Sequence, residues 1–176
     1  MRSPVQKSLG LLSVLLLVVS LPLLAGAQNP NFAGTWTLNQ AESNLGAGGG
    51  GGGGRMMGGP AASMTIAQTG NKITITTQRA GRDGTTREMV EEINADGQAH
   101  TVEGARGGPT TTTASWKDGK LVVVSKSSFS RGGGEPVEMT TTTTYSLAGG
   151  KLVVETTRPG MQGGAATTTK AVYDKK

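Results

Sequence analysis

Gly70-Asn71-Lys72-Ile73-Thr74-Ile75, Asp118-Gly119-Lys120-Leu121-Val122-Val123 and Gly149-Gly150-Lys151-Leu152-Val153-Val154 are three copies of one device: a turn pair, a lysine and the start of an apolar strand. Gly-Asn, Asp-Gly and Gly-Gly pairs between alternating segments join antiparallel strands by the shortest connections the backbone allows. Lys72, Lys120 and Lys151 lie 48 and 31 residues apart. That irregular spacing speaks for hairpins in series and against a solenoid of fixed period.

Outward from these turns, apolar and polar residues alternate with period two. The alternation predicts strands over Phe32–Leu38, Ser63–Thr69, Asn71–Arg79, Thr85–Ile93, Gln98–Glu103, Thr110–Trp116, a run opened by Leu121-Val122-Val123-Val124, then Val137–Leu147, Lys151–Arg158 and Ala165–Tyr173. The fold class is therefore all-β: an antiparallel meander of eight to ten strands. Closing such a sheet on itself hides its edges most completely, so a closed barrel is expected, with a sandwich as the alternative. A barrel of about eight strands has room for packed side chains or one small ligand.

Thr110–Thr113 and Thr140–Thr144 have strong β propensity and little hydrophobicity. They suit the outer face of a barrel. The sharper reading is a hydroxyl lining, in which only alternate threonines turn inward, Thr141 and Thr143 sharing a face with Met139 and Tyr145. The segment 46–60 interrupts the alternation with seven consecutive glycines, Gly48–Gly54. It has no Gly-Lys-Ser/Thr ending to mark a phosphate-binding loop, and poly-Gly is too costly in entropy to hold one shape, so a flexible loop is expected there.

Residues 1–27 have the three parts of a secretory signal peptide: Arg2 and Lys7, the apolar stretch Leu9–Leu24, and Ala25-Gly26-Ala27 before Gln28. The apolar stretch is shorter than the ~20 residues of a spanning helix, so cleavage is expected, with no stable membrane insertion afterwards. The expected mature protein is a single domain over 28–176, secreted or periplasmic. The whole chain carries 17 basic and 12 acidic residues. Removing Arg2 and Lys7 leaves 15 against 12, a net +3 without a Lys/Arg cluster. No nucleic-acid footprint is present.

The chain has no cysteine and a single histidine, His100. That excludes disulfides, thiolate metal sites and multi-histidine sites within one chain, so no metal or cofactor is expected. No Gly-x-Ser-x-Gly elbow accompanies His100. Glu91 and Glu92 point to opposite faces of their strand, whereas Glu88 and Glu92 share a face with Val90 that reads as solvated surface. Nothing here marks an enzyme.

Phe32-x-Gly34-x-Trp36-x-Leu38 resembles the first-strand signature of lipocalins and the wider calycin group. The resemblance implies an up-and-down barrel with Trp36 across its closed end, admitted by Gly34. It also implies an arginine from a late strand packed on that tryptophan, and Arg158 is the matching position. The function implied is binding of a small apolar or amphipathic molecule. The inward candidates are Met64, Ile66, Ile73, Ile75, Met89, Trp116, Met139 and Tyr145. The alternative is a filled barrel acting as a non-catalytic envelope or interaction protein.

Overall fold

The computed structural model describes residues 29–46, 59–80, 85–103, 108–129, 137–160 and 164–176. The leader and most of the poly-glycine segment lie outside these described residues. Ten strands form one antiparallel sheet: β1 (Gly34–Asn44), β2 (Ser63–Thr69), β3 (Lys72–Ala80), β4 (Thr86–Asn94), β5 (Ala99–Glu103), β6 (Pro109–Lys117), β7 (Lys120–Phe129), β8 (Val137–Ala148), β9 (Lys151–Arg158) and β10 (Thr167–Lys175). Across the sheet they run β4-β3-β2-β1-β10-β9-β8-β7-β6-β5. The first strand starts later than its alternation suggested, at Gly34, and Phe32 stands outside the ladder.

The quoted turns work as their sequences require. Asp118 and Gly119 have φ of 49° and 71°, and Gly149 and Gly150 have 58° and 78°. Two successive left-handed residues give the type I′ turn, whose twist matches that of the flanking strands. The tight turns all fall at one end of the sheet, together with the start of β1 and the end of β10.

The sheet order has a geometric consequence. Edge strands β4 and β5 are consecutive in the chain, joined only by Ala95–Gln98. Ten strands laid flat would span about 43 Å, whereas such a link reaches at most about 18 Å. The sheet must therefore curl until its edges approach at the turn end. It does not close into the continuous barrel expected from the meander, because β4 and β5 share no ladder. The link shows why. The Ala95 N–H donates to Asn71 O at 2.8 Å, Gly97 N–H to Ala114 O at 2.8 Å, and Gln98 N–H to the Asp96 carboxylate at 2.8 Å. The amides that would begin a β4–β5 hairpin are committed elsewhere, and the two strands leave the link unzipped.

The turn end is plugged. Phe32, fully buried, stacks on Trp116 with ring centroids 5.6 Å apart and lies 6.4 Å from the Tyr145 ring. Its carbonyl accepts from Trp36 Nε1 at 2.8 Å, and its N–H donates to Gln68 Oε1 at 2.9 Å. Gln68 Nε2 in turn donates to Pro30 O at 3.2 Å. Around this plug pack Trp36, Ile66, Ile73, Ile93, Leu121, Leu152 and Tyr173, all nearly inaccessible to water.

The cation against Trp36 is Lys175, whose Nζ stands 5.5 Å from the ring centroid. Arg158, the position implied by the lipocalin resemblance, is elsewhere. It pairs with Thr167 at the other end of β10, eight residues from Lys175, or about 27 Å along the strand. Gly34 admits the lysine stem: a Cβ there would meet Lys175 Cε at 2.7 Å, and its φ of +141° is one that other residues rarely adopt.

Two outcomes follow from this packing. Phe32→Ala should lower unfolding free energy by about 3–5 kcal/mol in urea titrations, while Leu147→Ala, at 40% exposed, should stay within about 0.5 kcal/mol. Gly34→Ala should lower the thermal midpoint, and shortening the neighbour in a Gly34→Ala/Lys175→Ala double variant should restore only the steric part, leaving the backbone strain.

Candidate functional site

Residues paired across neighbouring strands share a face of the sheet, so the register determines what the curled sheet encloses. The buried plug marks the inner face, and from it each strand can be followed toward the open end. On β6 the inward residues run Trp116, Ala114, then Thr112 and Thr110; on β7 they run Leu121, Val123, then Ser125 and Ser127. On β8 Tyr145 is followed by Thr143, Thr141 and Met139. On β9 Leu152 and Val154 give way to Thr156, and on β10 Tyr173 and Ala171 give way to Thr169 and Thr167.

Each of these strands thus passes along its length from aliphatic or aromatic to hydroxyl, with Met139 following the threonines on β8 and Arg158 following Thr156 on β9. The result is a cup with an apolar floor and a Thr/Ser upper wall. Neighbouring inward hydroxyls lie within reach of each other, Thr112 Oγ1 3.3 Å from Ser125 Oγ and Thr143 Oγ1 3.5 Å from Thr156 Oγ1. The alternate threonines, Thr111, Thr140, Thr142 and Thr144, line the outer face. The two readings of the threonine runs are therefore both realised, on opposite faces of the same strands.

All eight inward candidates share the inner face by register, but at different depths. Met64, Ile66, Ile73, Ile75 and Tyr145 are buried in the floor and lower wall, with Trp116 partly buried against them. Met139 is half-buried high on β8. Met89, at 52% exposed, stands on β4 beside the unpaired edge and packs into no core.

The same register reveals an inward residue that the sequence reading passed over. Glu91 pairs with Ile75, which pairs with Ile66, so its carboxyl shares a row with two core isoleucines. Glu92 points outward and meets Lys72 at 2.8 Å. Glu91 is reached by solvent, yet loss of hydration raises its carboxyl above the ordinary carboxylate pKa. Both hold for a side chain inside an open cup, where water can touch the group without surrounding it. Burial, with the charge of Glu91 second, pushes the Tyr145 hydroxyl pKa strongly upward.

His100 pairs with Thr112 and so lies on the inner face, on β5 next to the unpaired edge. Its Nε2 is 2.9 Å from the Asp96 carboxylate, and both side chains are exposed. Among the described residues its ring is bonded to no hydroxyl. A cleft of about 330 Å³ is bounded by Ser63, Met64, Thr65, Thr76, Gln78 and Glu88. Thr65, Thr76, Gln78 and Glu88 belong to the outer face, so this cleft is not part of the cup.

No protein-family profile matches the sequence, and no curated protein matches it. Solved structures do match in fold. The zebrafish ileal bile acid-binding protein, crystallised with cholic acid, superposes with a TM-score of 0.50 at 19% identity, covering 82% of this chain and 98% of that one. The Caenorhabditis elegans lipid binding protein 8 gives a TM-score of 0.47 at 13% identity, covering 82% of this chain and 95% of that one. The likeness to the zebrafish protein shows a shared fold and no more: the antiparallel meander described above.

Proposed function

We propose that this chain is an exported, non-enzymatic carrier that encloses a small apolar or amphipathic molecule inside its curled sheet. The observation that carries the reading is the polarity gradient along the inner face. Trp116, Tyr145, Leu152 and Tyr173 give way to Thr110, Thr112, Ser125, Thr141 and Thr156 as the strands rise. An interior built only for packing would stay aliphatic to its rim, because each buried hydroxyl needs a partner. A gradient suits a guest with one apolar end and one polar end. The apolar end gains ~25 cal/mol per Å² removed from water against the floor, while hydroxyls above orient the rest. The bile acid named for the zebrafish protein of the same fold is a molecule of that amphipathic kind.

Export rests on the leader: Arg2 and Lys7, the apolar Leu9–Leu24 and the Ala25-Gly26-Ala27 cleavage site. The mature chain is then secreted or periplasmic, with a lipid-like molecule as its partner and neither nucleic acid nor membrane insertion involved.

An inside-outside pair of variants tests enclosure. Thr141→Trp places an indole on the inner face, and Thr142→Trp places the same bulk on the outer face one residue away. Uptake of amphiphiles by the mature protein, followed by native mass spectrometry, should fall about tenfold or more in the first and stay within about twofold in the second. A chain that emerges bare from its host's exported fraction and takes up no amphiphile would overturn the reading in favour of a filled barrel that contacts other proteins. Equal uptake by the two variants would move the site to the outer surface.

A further inference from the structure

We propose that the guest enters and leaves through the side of the cup, between β4 and β5, and that Met89 and Val102 are the apolar lips of that passage. The inference rests on the enclosure reading and adds the route to it.

The ladders single out this place in the wall. Every neighbouring pair in the sheet order is hydrogen-bonded, so parting two such strands breaks backbone bonds. β4 and β5 come together by the curl alone, and parting them breaks no ladder. Their turn end is fixed: Ile93, Ala95 and Ala114 are buried, and the link amides bond to Asn71 and Ala114. Exposure shows where the wall opens above that end. On β6 to β9 the inward residues Thr112, Ser125, Thr143 and Thr156 are half-buried. On β4 and β5 the inward residues beyond Ile93 are exposed: Glu91, Met89 and Arg87 on one edge, His100 and Val102 on the other.

The chemistry of the two edges suits an apolar traveller. Met89 is 52% and Val102 63% exposed, and both face inward by register. Val90, on the outer side of the same edge, is 57% exposed. Grouped apolar surface in water marks a place of contact. The inner-face charges leave these lips apolar. Glu91 and His100 stay hydrated, His100 bonded to Asp96, and Arg87 pairs with Arg79 higher on β4 and β3. Arg158 lies on β9, half-way round the sheet order from both edges. The other route, over the open rim, leads past Thr110, Ser127, Arg158 and Thr167. Along it an apolar chain strips water from polar groups and offers them no partner. Between Met89 and Val102 apolar surface meets apolar surface, with Ile75 and Ile93 further down β3 and β4.

The test ties the two edges together. The chain has no cysteine, so Met89→Cys/Val102→Cys in the full mature protein supplies the only two thiols, for joining with bis(maleimido)ethane. Both positions are exposed, and circular dichroism melts confirm that the joined protein folds. The probe is the fluorescent amphiphile dansylaminoundecanoate, followed by stopped flow for its rates and by titration for its Kd. A route sets the rates of entry and exit together and leaves the end states alone. The tether should therefore slow association and dissociation by about tenfold or more each while Kd stays within about threefold. The same double variant capped with N-ethylmaleimide, which adds bulk without a bridge, should exchange probe within about threefold of the wild-type rate.

A tethered protein that exchanges probe at the wild-type rate overturns the side passage and leaves enclosure standing, with the open rim as the route. A tether that weakens Kd by as much as it slows association also overturns it, because the edges then form part of the binding site. A wild-type protein that takes up no probe overturns the passage and the enclosure reading together.

Discussion

The four-residue link from Ala95 to Gln98 is the constraint on which the molecule turns. It ties together the two strands that lie farthest apart in the sheet order, and no flat arrangement of ten strands satisfies it. Curling follows, and with it an inside and an outside. Every other assignment depends on that distinction, including which threonines face inward and why Glu91 differs from Glu92. Because the link's amides bond to Asn71, Ala114 and Asp96, it draws the edges together at one end without zipping them. The same few residues thus give the curl and leave the wall unclosed between β4 and β5.

The inner face divides labour along its length. Phe32 and its aromatic and aliphatic neighbours fill the turn end, where short connections hold the strands in register and almost all the burial occurs. A residue placed there is selected by packing, because a void or an unmatched polar atom costs stability directly. Toward the open end the strands are held by ladder hydrogen bonds and β propensity, for which threonine serves as well as valine. The upper wall can then be polar without weakening the floor. The plug is also built from outside the ladder: Phe32 precedes β1 and is held by Gln68 and Trp36, so the chain's entry into the sheet is what seals it.

The hairpins were legible in the sequence because their signals are local. A Gly-Gly or Asp-Gly pair sets its own turn, and alternation fixes which residues share a face. Lys151–Arg158 matches β9 residue for residue. What was not legible needed knowledge of distant neighbours. That the meander stays open depends on where three amides of the 95–98 link are spent. That Lys175 rather than Arg158 approaches Trp36 depends on the β1–β10 register, which joins the two ends of the chain. Glu91 is a different case. Met89-x-Glu91-x-Ile93 places it on the face of two apolar residues, but alternation alone does not say whether that face or the one carrying Glu92 turns to the core.

A hydroxyl wall above an apolar floor does little by itself to choose among guests. Threonine and serine donate and accept with little preference, and they can satisfy one another, as Thr112 does with Ser125. Such a wall tolerates many guests and distinguishes few. Discrimination then falls to groups that cannot adapt: an acceptor that cannot donate and a donor that cannot accept. Glu91 and Trp116 are groups of that kind on the inner face, and the Trp116 indole N–H is buried without a partner among the described residues.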